Sequence, residues 1–250
     1  MWGKHHWNKS AVVLGAALLA VIASSVVVQA ATIPPPYPEG TWTSAGNPYY
    51  VSSDIEIQVG KTLVIEPGVE VVMGPGVQML VNGQLNAVGT YDVPITFRGV
   101  TDSNYWNTIR INYNQTRSES KIEYCNFSDS SNAIFLHVDS IGVSEMEIQN
   151  CTFKNIIGSG VYSYIVGNSS TQPPHCIAKI RNCRFEELNY GCYLISEHYY
   201  HVAFQSSVVE GNIFSNRGIH FAGLDPHVVV HTFHGSVSKG SGRIGTELFK

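Results

Sequence analysis

The feature that most restricts this chain is a rhythm that slips. In "IQNCTFKNIIGSGVYSY", residues 148–164, apolar side chains stand at Ile148, Cys151 and Phe153, so the apolar parity shifts by one place and then resumes. A helical period does not fit that spacing, and neither does one straight strand, whose side chains alternate strictly between two faces. If Ile148 ends one short strand, Gln149-Asn150 make a corner and Cys151 opens the next strand, all three side chains face a single interior. The rhythm recurs with Ile122, Cys125 and Phe127, with Ile180, Cys183 and Phe185, and with Val209, Asn212 and Phe214. A cruder copy places Phe97 before Ile109 and Ile111. From Phe97 to Phe127, Phe153, Phe185 and Phe214 the steps are 30, 26, 32 and 29 residues, within the span of solenoid repeats.

A chain that turns similar corners at such intervals stacks its coils as parallel strands, which predicts an all-β, single-stranded right-handed parallel β-helix. Each coil leaves an apolar side uncovered, so stability has to come from stacked neighbours roughly 4.8 Å apart. The earlier segment "KTLVIEPGVEVVMGPGVQMLVNGQLNAVGTYDVPITFRG" predicts tighter coils, with turns at Pro67-Gly68, Gly74-Pro75-Gly76, Asn82-Gly83 and Gly89. Asn82-Gly83 is also a hairpin signal, and antiparallel pairing is the rival it raises. The later repeats, which keep one direction and one order of features, favour the parallel reading.

The chain opens differently. Lys4 and Lys9 precede the apolar run "AVVLGAALLAVIASSVVV", which ends in Val28-Gln29-Ala30, the pattern of a secretory signal peptide over residues 1–30. An uncleaved signal anchor is the alternative, since the run is about long enough to span a bilayer. The reading therefore divides the chain into a signal peptide (1–30), a leader or cap (31–46), a parallel β-helix (47–235) and a flexible tail (236–250), in a secreted, extracellular setting. Only 14% of residues are charged and the net charge is −4 with no basic run, which gives no electrostatic reason for a nucleic-acid partner.

The stretch "NPYYVSSDIEIQVGKTLVIEPGVEVVMGPGVQMLVNGQLNAVGTYDVPITFRG", with the later "YWNTIRI", resembles the opening coils of secreted right-handed parallel β-helix proteins of the pectin-lyase-like superfold, including the repeat ectodomains of the bark beetle (anakonda) family. The likeness runs from about Gly40 to Gly235. It implies right-handed coiling and an extracellular setting, but no reaction, because that group contains surface and matrix proteins as well as polysaccharide lyases and hydrolases. Cleavage of a glycosidic bond by general acid and base needs two carboxylates close together. Asp and Glu are spread here; the adjacent Glu186-Glu187 reads as a solvated loop, and His234-Gly235 matches only a fragment of the polygalacturonase pattern. No catalytic residue and no cofactor is assigned.

The strand that follows the corner glycine should turn Ile134 and Leu136, Val161 and Ser163, Cys192 and Leu194, and Ile219 and Phe221 inward. The residues between them then form an outward column of Arg110, Phe135, Tyr162, Tyr193 and His220, beside a second of Asn112, His137, Tyr164, Ile195 and Ala222. A row of outward aromatics marks a ligand-binding surface: tyrosine faces stack on sugar rings or on apolar groups of a partner while their hydroxyls stay wet. Arg110, Phe135, His137, Tyr162, Tyr164, Tyr193 and His220 are accordingly the ligand-binding candidates. Ordinary stabilisation of a sheet by cross-strand aromatic pairs is the competing explanation.

His227, His231 and His234 lie close in sequence, yet on a strand residues four apart are separated by roughly 13 Å, so no metal site is assigned. Five cysteines leave at least one without an intrachain partner. Cys125, Cys151 and Cys183 share one repeat position and should form an inward column with nearly parallel Cβ vectors, poor geometry for a disulfide. Cys176 is left to pair with Cys183 or with another chain. Asn114, Asn126, Asn150 and Asn168 open glycosylation triplets, the middle two at positions that read as polar corners. The prolines of "IPPPYPEG" and the stretch "TWTSAGNPYY" should drape over the first coil, whereas the polar tail makes a poor lid and leaves the last coil for end-to-end self-association. The expectation is a secreted, non-catalytic module for adhesion, matrix structure or glycan contact, its partner an extracellular glycan or a matrix or cell-surface protein, with no membrane contact after signal cleavage. A polysaccharide lyase or hydrolase is the alternative.

Overall fold

The computed structural model describes residues 30–113, 120–138, 142–165, 174–196, 208–210, 213–214, 217–223 and 237–238; for 113, 142–145, 165, 174–178 and everything from 194 onward, only the backbone is described. The first coil consists of β1 (Gly40–Trp42), β2 (Tyr49–Val51) and β3 (Ile55–Ile57). The second has β4 (Thr62–Ile65), β5 (Glu70–Met73) and β6 (Met79–Val81); the third β7 (Gln84–Val88), β8 (Ile95–Gly99) and β9 (Ile109–Tyr113); the fourth β10 (Lys121–Glu123), β11 (Cys125–Ser130) and β12 (Ile134–Val138). In the fifth, β13 (Gly142–Gln149) is followed by one long strand, β14 (Thr152–Ile165), and the sixth repeats this with β15 (Pro174–Arg181) and β16 (Arg184–Ser196). β17 (Val208–Glu210), β18 (Ile213–Phe214) and β19 (Arg217–Gly223) make the seventh, and β20 (Val237–Ser238) begins another rung.

Every pairing among these strands is parallel, and each strand pairs with its counterpart one coil away. The chain is therefore a parallel β-solenoid, not a hairpin ladder. The first face is the sheet β1-β4-β7-β10-β13-β15-β17. The second runs through β2, β5, β8, β11 and the first parts of β14 and β16; the third runs through β3, β6, β9, β12 and their later parts. Asn82-Gly83, the hairpin candidate, instead links the third face to the first, where both N–H groups donate to the Ile57 carbonyl of the coil below. A Cβ on Gly83 would stand 2.2 Å from the Gln58 carbonyl oxygen and 2.3 Å from that of Lys61, so only glycine lets these coils approach.

Left-handed backbone explains the parity slip. Tyr124, Asn150 and Asn182, each just before a repeat cysteine, have φ of 49°, 56° and 52°. One such residue swings the chain through the corner so that the side chains on both sides of it point inward. A second set, Asp129, Asn155 and Glu187, each two residues after a repeat phenylalanine, has φ of 61°, 53° and 55° and bends the second face toward the third. Asn and Asp tolerate this region better than most residues, which fits four of the six positions.

The interior is a set of columns. Phe97, Phe127, Phe153 and Phe185 pair residue for residue, the register continues to Phe214, and the first four rings stack 5.1, 5.0 and 4.8 Å apart with planes within 8°. All four are fully buried, each contributing about 1.5–3 kcal/mol from burial and about 0.5–1.5 kcal/mol from each ring pair. Beside them Cys125, Cys151 and Cys183 occupy equivalent positions, buried and reduced, as is Cys192. The Cys176–Cys183 disulfide is thereby excluded: Cys183 Sγ lies in the column, 3.3 Å from the Arg181 carbonyl. Burial holds the thiols of Cys151, Cys183 and Cys192 well above the usual range, so they remain protonated.

At the first coil the proline segment packs as expected. Thr32 bridges Tyr49 in parallel, Tyr50 N–H donates to the Thr32 carbonyl, and Glu56 N–H donates to the Pro36 carbonyl, both at 2.8 Å. "TWTSAGNPYY", by contrast, does not lie over the coil. It builds it, through β1 and β2, with Trp42 and Tyr49 stacked 4.6 Å apart. The apolar run of residues 11–28 lies outside the described residues, among which no helix is long and apolar enough to cross a membrane.

Candidate functional site

The outward column of the third face forms by register alone. Glu56, Leu80, Arg110, Phe135, Tyr162, Tyr193 and His220 stand opposite one another on successive coils. Their alternate neighbours Ile109, Ile134, Val161 and Cys192 are buried, which fixes the column's direction outward. The aromatic rings touch. Phe135 and Tyr162 centroids lie 4.9 Å apart, Tyr162 and Tyr193 5.7 Å apart, and Tyr190 leans on Tyr193 at 4.9 Å. In the second column His137 faces Tyr164 at 6.3 Å. Because each ring covers part of the next, Phe135, His137, Tyr162, Tyr164 and Tyr193 are half-buried, not fully exposed as a free aromatic row would be. His220 is placed by its backbone opposite Tyr193.

Arg110 begins the aromatic run and ends a polar one. Its guanidinium carbon sits 5.3 Å from the Phe135 ring centre, while its Nε donates to Asn112 Oδ1 at 2.9 Å. Asn112 Nδ2 donates to Asn82 Oδ1 at 2.9 Å, and Asn82 Nδ2 donates to Glu56 Oε1 at 2.8 Å. This chain of hydrogen bonds holds the arginine over the ring. Arg110 and Asn112 are legible in the sequence as outward neighbours; the same register reaches Asn82 on the adjacent coil and Glu56 on the one before it. The third face is thus half amide and charge, half aromatic.

Glu186 and Glu187 are not in a loop. Both lie within β16, Glu186 ion-paired with Arg184, and Glu187 in left-handed backbone with its carboxylate 4.0 Å from Lys154 Nζ. Among the described residues no three of His, Cys, Asp and Glu gather closely enough to hold a metal ion; His227, His231 and His234 lie outside them. Of the glycosylation candidates, Asn126 is no corner residue: it sits exposed within β11 on the second face, paired with Thr96 and Thr152. Asn150 is a corner residue, half-buried, its Nδ2 3.5 Å from Glu123 Oε1. Asn114 and Asn168 lie outside the described residues.

The geometry defines a parallel β-solenoid with an outward, ring-lined strand face. Comparison with protein-family profiles, curated proteins and solved structures finds no match to the chain.

Proposed function

We propose that the chain is a secreted, non-catalytic solenoid module that holds an extracellular glycan along its third face. The observation that carries this reading is the unbroken outward series Arg110, Phe135, Tyr162 and Tyr193, with rings spaced 4.9 and 5.7 Å apart. Rings set side by side in this way offer C–H faces of consecutive sugars a continuous apolar track, and the tyrosine hydroxyls, His137 and Asn112 supply polar contacts at its edges. The likeness to secreted β-helix ectodomains and the signal-peptide pattern support the extracellular setting. Asn126, on the second face, would carry its own sugar without covering the track. The lyase or hydrolase alternative needs a carboxylate pair across a bond. Among the described strand residues of the third face the carboxylate is Glu56, already engaged by Asn82.

Screening the secreted chain on an array of defined oligosaccharides tests the reading. Tyr162→Ala combined with Tyr193→Ala should weaken retention by roughly 5- to 150-fold, the equivalent of about 1–3 kcal/mol for two ring contacts. Retention is measured at a temperature where circular dichroism shows the variant still folded, since it also loses the ring pairs with Phe135 and Tyr190. Retention unaltered by the double substitution rejects this surface.

A further inference from the structure

A cavity of about 260 Å³ opens at the corner between the second and third faces, lined by Tyr105, Asn155, Ile156, Ile157, Glu187, Leu188 and Asn189. Three features of the backbone create it. Counting between paired residues, β14 has Ile157 and Gly158 where β16 has Asn189 alone, and the register shifts there, a one-residue bulge that breaks the stacking of coils five and six. The bulge is possible because Gly158 nestles into the coil below, where a Cβ would meet Asn132 Oδ1 at 2.4 Å. The long turn of coil three then reaches along the corner: Tyr105 donates to Asn155 Oδ1 at 3.2 Å, and Asn155 Nδ2 donates to Asp129 Oδ1 at 2.7 Å and to the Asp102 carbonyl at 3.3 Å.

Glu187 marks this corner as more than a bend. It occupies the left-handed slot that the two preceding coils give to Asp129 and Asn155, although glutamate lacks the short side chain that makes that backbone tolerable. Strain kept at a cavity wall is a pointer to use. Tyr105 and Asn155 spend their donors within the corner, so the groups that face a ligand are the Glu187 carboxylate, the exposed Asn189 amide, whose Nδ2 also donates to the Ile157 carbonyl at 2.7 Å, and the half-exposed Ile157. Acceptors and donors around a small apolar patch suit a ring that has hydroxyls at its rim and C–H groups on its face. The cavity is shallow and open, and its volume, below that of sites for drug-sized molecules, accommodates a single ring. The Glu187 carboxylate, with Lys154 Nζ 4.0 Å away, sets a negative group in the wall itself, which favours a neutral ring over an acidic one. The cavity also adjoins the ring track, since Tyr190, next in sequence to Asn189, leans on Tyr193.

We propose that this corner cavity is a subsite for one neutral saccharide unit, at the side of the track along the third face. The inference rests on the glycan-binding reading, and the test separates the two. Glucose, galactose, mannose and N-acetylglucosamine would each be titrated into the ¹⁵N-labelled secreted chain while the side-chain amide of Asn189 is followed by NMR. At least one sugar should shift that signal, and Glu187→Gln, which keeps the shape and removes the charge, should weaken the response about tenfold. Asn189→Ala should weaken binding of the same sugar, read by calorimetry. Absence of any shift up to about 50 mM of every sugar overturns the subsite even if array binding through the track persists. A shift that Glu187→Gln leaves intact overturns the assigned role of the carboxylate and with it the subsite. A silent array together with a saturable, Glu187-dependent shift would remove the track reading and leave the cavity standing.

Discussion

Coils one to three and coils four to six solve the same geometric problem with different chemistry. In the first group the left-handed backbone falls, in coils one and two, on glycines: Gly40 at the start of β1, and Gly60, Gly68 and Gly76 in turns. In the second it falls on Tyr124, Asp129, Asn150, Asn155, Asn182 and Glu187, one residue per bend. The interior changes one coil sooner: the second-face column passes from Tyr49 and Val71 to an unbroken stack of phenylalanines that starts at Phe97 in coil three. The outer third face changes between coils three and four, from Glu56 and Leu80 to rings, with Arg110 of coil three at the join. In coils five and six single-residue bends let two faces run on as one strand, 14 residues in β14 and 13 in β16, and these carry Tyr162 and Tyr193 of the aromatic track, whose Phe135 stands on the separate strand β12 of coil four. Tight corners inside and a regular surface outside are one adaptation.

Three experiments test that contrast. Phe153 has a ring on each side and Phe97 a ring on one. Phe153→Ala should cost about 3–5 kcal/mol in urea unfolding and exceed Phe97→Ala by about one ring pair, 0.5–1.5 kcal/mol. Equal costs would mean that the stack adds nothing beyond burial. The buried thiols come next. Their folded pKa values lie above the unfolded one, so their contribution is complete below about pH 8.5 and is lost as pH rises beyond it, by about 1.4 kcal/mol per unit for each thiol. Urea midpoints at pH 8 and 10 should therefore fall less in Cys151→Ala than in the parent chain; parallel falls would contradict thiol burial as the cause. The smallest effect concerns the bends. Asn150→Gly should be nearly neutral and Asn150→Ala destabilising by about 1 kcal/mol, whereas Glu187→Asn should stabilise by a few tenths, read as Tm shifts of roughly 1–4 °C. A neutral Asn150→Ala would show that left-handed backbone does not restrict that corner.

Much of the later half was legible in sequence because identical side chains repeat. The phenylalanine spacings of 30, 26, 32 and 29 residues are the register of the second face, and the outward column is legible separately, from the alternating strand that follows each of them. The first coils were legible only as turns, since Tyr49, Val71 and Phe97 share a column without sharing an identity. Half-burial of the rings could not be read, because it depends on contacts between coils. Nor could the corner cavity, which follows from a single extra residue. Its trace is nonetheless present: Phe153 stands eight residues before Val161, whereas Phe127 and Phe185 stand seven before Ile134 and Cys192. The charge of Glu186-Glu187 suggests a solvated loop, whereas Glu187, two residues past a repeat phenylalanine, stands in the bend slot within β16.

One property of the pairing bears on how the chain reaches this state. Between neighbouring coils, paired residues are separated by as few as 22 positions, as from Thr62 to Gln84, and by up to 35, as from Asn86 to Lys121. Closing a loop becomes costlier only with the logarithm of its length, so each added rung meets nearly the same entropic toll as the one before it. The barrier to organising the chain is thus divided into similar steps, and further rungs lengthen the structure without making any single step harder.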